Sequence, residues 1–151
     1  NGGMSKDEYI SHFSMWSMLA APLMAGNDLR KMDQETIEIL TNKEVIAVNQ
    51  DKLGKQAVRF MDMGDHEIWA KPLSDAEIAV CFLNRSLQEW NLDYDWKKQT
   101  MYFARDINIH KYEYDIRDLW KHKQIGTTGR NTKTTIPPHG CLMVKLSKKN
   151  K

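Results

Sequence analysis

The chain has 151 residues, 41% of them hydrophobic and 28% charged, a composition expected of a globular domain or of one small domain plus part of another. Lysine and arginine total 22 against 20 for aspartate and glutamate. A net charge of +2 with scattered basic residues gives no electrostatic footprint for a nucleic-acid partner, and no run reaches the ~20 apolar residues needed to span a bilayer.

The chain opens NGGMSKDEY, which has no basic-then-apolar leader pattern. Ser5 followed three places later by Glu8 forms a capping box, and Met4 is placed to staple onto Tyr9. The spacing then predicts a helix through EYISHFSMWSMLA that ends at Pro22. Tyr9, Phe13, Trp16 and Ala20 recur at helical spacing, and Ile10, Met15, Met18 and Leu19 widen the stripe, so this helix needs cover on several sides. PLMAG, residues 22 to 26, is too short for a helix and reads as a buried strand of the parallel type, apolar on both faces. Gly26 is placed for a tight turn. A second helix starts at Asp33, a good N-cap, with Ile37 and Leu40 inward, and KEVIAVNQD adds another turn or two.

Helix, buried strand, helix is the rhythm of an α/β unit, but a single parallel strand has nothing to pair with. Residues 1–54 therefore read as part of a larger α/β body. From residue 55 short extended runs take over: QAVRFMD, HEIWAKPL, EIAVCFLNRS, DYDW, TMYFARDIN, YEYDIRDLW, NTKTTIPP and GCLMVKLS. MGD, LSDAE, IGTTG and PPHG stand between them as turns. About eight strands over residues 55–151 predict an antiparallel β-sandwich, with IAVCFL as a central strand. Cys81 and Cys141 both lie in apolar strands, and spacing leaves open whether they meet. Two cysteines and five unclustered histidines give no metal site.

Several long stretches carry a family resemblance. NGGMSKDEYISHFSMWSMLAAPLMAGNDLRKM, TIEILTNKEVIAVNQDKLGKQ and EIWAKPLSDAEIAVCFLNRS resemble the C-terminal third of alpha-galactosidases of glycoside hydrolase family 27. DIRDLWKHK and IPPHGCLMVKL resemble that family's last strands. The resemblance spans essentially the whole chain and is weakest from residue 87 to 110. It implies the end of a (β/α)8 TIM barrel over 1–54, followed by an antiparallel Greek-key β-sandwich over 55–151. PLMAG would be the eighth barrel strand and GNDLR its loop on the catalytic face.

The chemistry implied is retaining hydrolysis of terminal α-linked galactose by two aspartates, one nucleophile and one acid/base, about 5 Å apart. The family motifs that carry both are absent from these residues, so no catalytic role is assigned and both aspartates are expected upstream, in a barrel portion on the same or a companion chain. Asp93 and Asp95 resemble a carboxylate pair but fall in the sandwich and read as solvated charges.

Asn27 and Asp28 are the nearest candidates for a site. Either they support the substrate pocket, or Asp28 caps the local turn and Asn27 takes an unusual backbone shape. Trp16 reads as core, and one of Trp90 and Trp96 as exposed. Asn84-Arg85-Ser86 matches a glycosylation sequon at a strand end, where a structural role is as good a reading. No cofactor is expected. The partner implied is an α-galactoside, with no nucleic acid and no membrane. The compartment stays open, a secreted or periplasmic parent enzyme fitting the family. The competing reading is a free-standing β-sandwich that binds carbohydrate or another protein without catalysis.

Overall fold

The computed structural model describes residues 2–98 and 108–149. Helix α1 spans Lys6–Met18, and its capping box forms as the sequence predicts: Ser5 Oγ accepts from Glu8 N at 3.3 Å and Glu8 Oε2 accepts from Ser5 N at 2.7 Å. The helix stops before Pro22 because Ala20 turns into the left-handed region, at φ +52°. Its inward face combines the apolar stripe with serine: Phe13 and Met18 are in the core, with Tyr9, Ile10, Met15 and Trp16 packed against it. Ser11, Ser14 and Ser17 are buried beside Phe13 and Met18, whereas Met15 and Trp16 stay half-buried. Serines three apart share one face. Their short side chains let the helix approach the sheet closely, and each finds a bond there or lends its carbonyl to one. Ser11 Oγ donates to His139 O at 2.8 Å, and Trp120 Nε1 donates to Ser14 Oγ at 2.8 Å.

PLMAG is not a strand in this chain. Residues 21–27 have no regular secondary structure and Met24 is 77% exposed. An inner parallel strand takes its hydrogen bonds from neighbours on both edges, and among the described residues no strand lies beside it. It is held from one side by Asn49 Nδ2, which donates to Ala21 O at 2.8 Å. Gly26 does not adopt a positive φ, and the chain bends at Asn27 directly after it. A single 3-10 turn over Leu29–Lys31 follows.

The second helix is two helices. Helix α2, Gln34–Leu40, is capped by Asp33, which accepts from Thr36 N at 2.7 Å, and buries Ile39 rather than Ile37 or Leu40. Helix α3, Lys43–Asn49, is capped by Asn42, whose Oδ1 accepts from Glu44 N and Val45 N. The break falls at Asn42, whose Nδ2 donates to Leu119 O at 3.1 Å and so fixes α3 to the sheet.

Eight strands follow among the described residues: β1 Val58–Asp62, β2 His66–Pro72, β3 Ile78–Asn84, β4 Trp90–Tyr94, β5 Tyr114–Asp118, β6 Lys123–Thr127, β7 Thr132–Ile136 and β8 Cys141–Lys148. One sheet runs β1-β2-β3-β8-β5-β6, the other pairs β4 with β7, and every pairing is antiparallel. Between the sheets lies a core of Ile68, Val80, Phe82, Leu92, Tyr94, Trp96, Ile116 and Ile136. On the opposite face of the larger sheet, Ala79, Cys81, Leu119 and Met143 pack under Phe13, Met18, Val45 and Val48 of the helices. Strand β3 is therefore covered on both faces, and Ile78–Phe82 are all buried.

Two strand assignments move. The strand read at DYDW starts earlier, at Trp90, and ends at Tyr94, and Trp96 is buried, its Nε1 donating to Thr132 Oγ1 at 2.8 Å. IGTTG, read as a turn, contributes to β6, an almost wholly exposed edge strand with no hydrophobic pattern to reveal it. The expected strand TMYFARDIN lies, except for Asn108, outside the described residues. Cys81 opposes Met143 and Cys141 opposes Leu83, so the cysteines share the helix-covered face of adjacent strands, as free thiols. No helix among the described residues is long and apolar enough to cross a membrane.

Candidate functional site

The candidate pair Asn27 and Asp28 lies on one wall of a groove of about 630 Å³. Helix α1 supplies the opposite wall with Tyr9, His12, Phe13 and Trp16, and α2 closes the end with Thr36 and Ile39. The groove is rimmed by charge at Asp28, Lys31 and Glu35 and floored by apolar side chains. Trp16 is thus a groove residue, half-buried, with His12 edge-on to it at 5.6 Å. The other side of Trp16 packs against the core cluster under the larger sheet, as helical spacing predicts.

Asp28 has a clear local task. Its Oδ1 accepts from Arg30 N at 3.0 Å, capping the 3-10 turn, and its carboxylate takes a forked pair from Arg30 Nε at 2.9 Å and Nη2 at 3.0 Å. These bonds from Arg30 hold its carboxyl below the usual range. Asn27 is half-buried and has ordinary backbone geometry, so the unusual conformation expected of it is not seen.

Asn84 is fully buried at the end of β3. Its Nδ2 donates to Gln88 O, Ile136 O and Pro137 O, at 2.8, 3.2 and 2.9 Å. Its Oδ1 accepts from Ser86 N and Ser86 Oγ. The asparagine of the sequon therefore ties β3 to the turn after β7, which is the structural of its two readings. His139 stands in that turn at φ +54°. Asp93 is exposed and paired with Lys133 at 3.0 Å, and Asp95 accepts from Lys97 N at 2.9 Å, as expected of solvated charges. No group of three or more metal-ligating side chains is found among the described residues.

A carboxylate pair poised for hydrolysis is therefore not what the groove contributes. What it offers is a lining of apolar side chains with the exposed Met4 and the Asn27–Asp28 loop. Residues 63–146 match the family model described as "Alpha galactosidase C-terminal beta sandwich domain", and residues 1–51 match that of "Alpha galactosidase A". The chain is 42% identical over 149 residues to alpha-galactosidase 2 of Arabidopsis thaliana, covering 99% of this chain and 36% of that protein. It is 42% identical over 150 residues to alpha-galactosidase A of Cellvibrio japonicus, again covering 36% of the relative.

Among solved structures, alpha-galactosidase I from Mortierella vinacea superposes with a TM-score of 0.86 at 33% identity, over 97% of this chain and 36% of that one. A GH27 β-L-arabinopyranosidase from Geobacillus stearothermophilus, in complex with arabinose, superposes at 0.82 and 26% identity, over 97% of this chain and 32% of that one. The chain thus spans 32–36% of the length of these relatives. With the sandwich matched in sequence and in fold, and the helices before it matched as well, this chain belongs to the alpha-galactosidase C-terminal β-sandwich family.

Proposed function

We propose that the chain is the C-terminal portion of a retaining alpha-galactosidase, which removes terminal α-linked galactose from oligosaccharides or glycoconjugates. The observation that carries this reading is the unbroken match to alpha-galactosidases across both the helical segment and the sandwich. Residues 1–54 form the end of the barrel and 55–151 the accessory sandwich. PLMAG becomes the eighth strand once barrel neighbours flank it. The exposed side chains Met24 and Leu29 support this, since an apolar surface of that kind is normally covered.

In this reading the nucleophile and the acid/base come from the barrel portion, on the same or a companion chain, about 5 Å apart across the sugar. Asn27 and Asp28 are positioning residues. The Arg30 fork fixes the loop that Asp28 belongs to, so the loop presents a constant floor to the substrate pocket. A free-standing binding module is the weaker reading, because the match to alpha-galactosidases runs through the helical segment as well as the sandwich.

The test is a chimera in which the matching C-terminal part of Arabidopsis alpha-galactosidase 2 is replaced by this chain. The chimera hydrolyses p-nitrophenyl α-galactoside, while the isolated chain shows no turnover. A folded but inactive chimera, or turnover by the isolated chain, rejects the proposal.

A further inference from the structure

The basic residues are scattered in sequence, but the sandwich gathers several at one end. Lys97 follows β4, Lys111 precedes β5, Arg130 lies between β6 and β7, Lys148 ends β8 and Lys149 follows it. All are exposed. Contacts hold them together. Lys97 Nζ donates to Ile109 O at 2.9 Å, and Lys149 N donates to Glu113 O at 3.0 Å. Arg130 N donates at 3.3 Å to the main-chain oxygen of Thr127, whose hydroxyl donates to the Glu113 carboxylate. Lys148 Nζ lies 3.5 Å from the centre of the Tyr112 ring and Lys111 Nζ lies 5.3 Å from it, so one aromatic ring steadies two ammonium groups.

No ion pair joins any of these five cations to a carboxylate among the described residues, whereas Lys98 and Lys133 are matched by Asp95 and Asp93. Residues 99–107 carry one arginine and one aspartate, which cancel in the charge balance. Five like charges drawn from four segments repel one another, and an anionic partner relieves that repulsion.

The one exposed carboxylate in the group narrows the choice of anion. The bond from Thr127, with Lys149, Lys97 and Arg130 nearby, holds the Glu113 carboxyl below the usual range, so it stays ionised among the cations. Asp115, the next acid along β5, is half-buried in the ladder opposite Thr127 and Ser147. A dense row of phosphates laid across this end meets the Glu113 charge. A polysaccharide that carries a carboxylate on each sugar, with neutral hydroxyls between, can give its acids to the lysines and a hydroxyl hydrogen to Glu113. None of the large exposed hydrophobic side chains lies on these segments, so there is no apolar wedge for a bilayer. Tyr112 is engaged by Lys148 and offers no free face for a base.

We propose that this end of the sandwich, built by Lys97, Lys111, Arg130, Lys148 and Lys149 around Glu113, is a docking surface for a uronate-bearing polysaccharide. It holds the protein on an acidic glycan, apart from the groove at Asn27. The preference for a glycan over other sparse polyanions rests on the alpha-galactosidase reading above.

The test is equilibrium binding of the full 151-residue chain to polygalacturonate. Dextran serves as the neutral polysaccharide, and a short DNA duplex and phosphatidylserine vesicles as the competing anions. Binding to polygalacturonate is expected at about 0.05 M salt and is lost at about 0.5 M. Lys111→Gln, Arg130→Gln and Lys149→Gln together should weaken it by about tenfold or more while the thermal midpoint holds. Lys43→Gln, Lys55→Gln and Lys123→Gln remove the same charge elsewhere and should leave binding within about twofold. Equal loss in both triple variants, equal binding to dextran, or tighter binding to the duplex or the vesicles overturns the proposal. The readout is binding, so an inactive chimera with intact polygalacturonate binding rejects the enzyme reading alone.

Discussion

Lys71 Nζ donates to the main-chain oxygen of Val48, and at 3.4 Å to that of Ser17, so one ammonium joins the last turns of α3 and α1 from a strand of the sandwich. Lys71 is fully buried. The negative ends of two helix dipoles and free terminal carbonyls are what a cation at that point stabilises. Around it, Asp51 accepts from Ser74 N and Ser74 Oγ, and Ala57 N donates to Met18 O. The helical segment and the sandwich therefore share one polar seam as well as one apolar layer.

Replacing Lys71 by Met keeps the stem and removes the donor. The Val48 carbonyl then loses its partner, while Ser17 O keeps the bond from Ala20 N, and a loss of about 1–3 kcal/mol is expected in urea unfolding at pH 7. The pH dependence gives a sharper reading. Burial pushes the Lys71 ammonium below its ordinary range. The unfolded chain then holds this proton more tightly than the folded one, so the native protein gains stability as pH rises from the folded value towards about 10.4, the unperturbed value. The gap between the native protein and Lys71→Met should widen across the alkaline range. A gap that stays constant or narrows there contradicts the desolvated charge.

Glu44 at the start of α3 receives a forked pair from Arg117 of β5, Nε at 2.7 Å and Nη2 at 2.8 Å, and lies 2.8 Å from His122 Nδ1. Arg117, and then His122, hold the Glu44 carboxyl below the usual range. A depressed carboxyl stabilises the fold above its unfolded value of about 4.3, and that contribution disappears as pH falls through the lower folded value. With both side chains about a third exposed or less, Glu44→Gln is expected to cost about 1 kcal/mol near neutrality. Thermal unfolding of native and variant chains should converge below about pH 4, as the native pair is lost. Persistence of the difference at pH 2 would show that the effect is packing rather than charge.

Much of this architecture is legible in the sequence, and the exceptions share a cause. The capping box at Ser5 and Glu8 and the cap at Asp33 are local chemistry and appear where expected. The alternation in YEYDIRDLW buries Tyr114 and Ile116, as β5 shows. What fails is whatever depends on a neighbour. PLMAG has the composition of an inner strand but no flanking strand, so it stays exposed. Strand β6 is paired by its backbone while its side chains face solvent, and so leaves no pattern. The serine face of α1 hides its docking role because small polar residues are read as solvated. At the groove, Asn27 and Asp28 share a lining with Tyr9, His12 and Trp16 of α1, whose helical spacing equally describes core.

Asn84 offers a direct contest between a motif and its setting. A glycan attached at Nδ2 would displace at least part of a set of three main-chain acceptors held within 3.2 Å. The chain expressed through a eukaryotic secretory route should therefore carry no glycan at Asn84 once folded, and endoglycosidase treatment should leave its mass unchanged. Asn84→Ala should be strongly destabilising, by about 3 kcal/mol, because several buried groups lose partners together. A glycosylated Asn84 in a protein with native thermal stability would contradict this.

The last prediction concerns the uncovered side of α1. Met24 is 77% exposed and Leu29 65%, with Met4 and Leu19 each near 38%. Apolar surface gathered on one segment drives association at about 25 cal/mol for each Å² removed from water. The isolated chain should self-associate with rising concentration, and the double variant Met24→Lys with Leu29→Lys should shift light scattering towards monomer. Because both side chains are exposed and make few contacts, the thermal midpoint should move little, each substitution staying within about 0.5 kcal/mol. If the double variant associates as strongly as the native chain, another surface holds the molecules together, and β1 and β6, which stand at the two ends of the six-stranded order among the described residues, become the place to look.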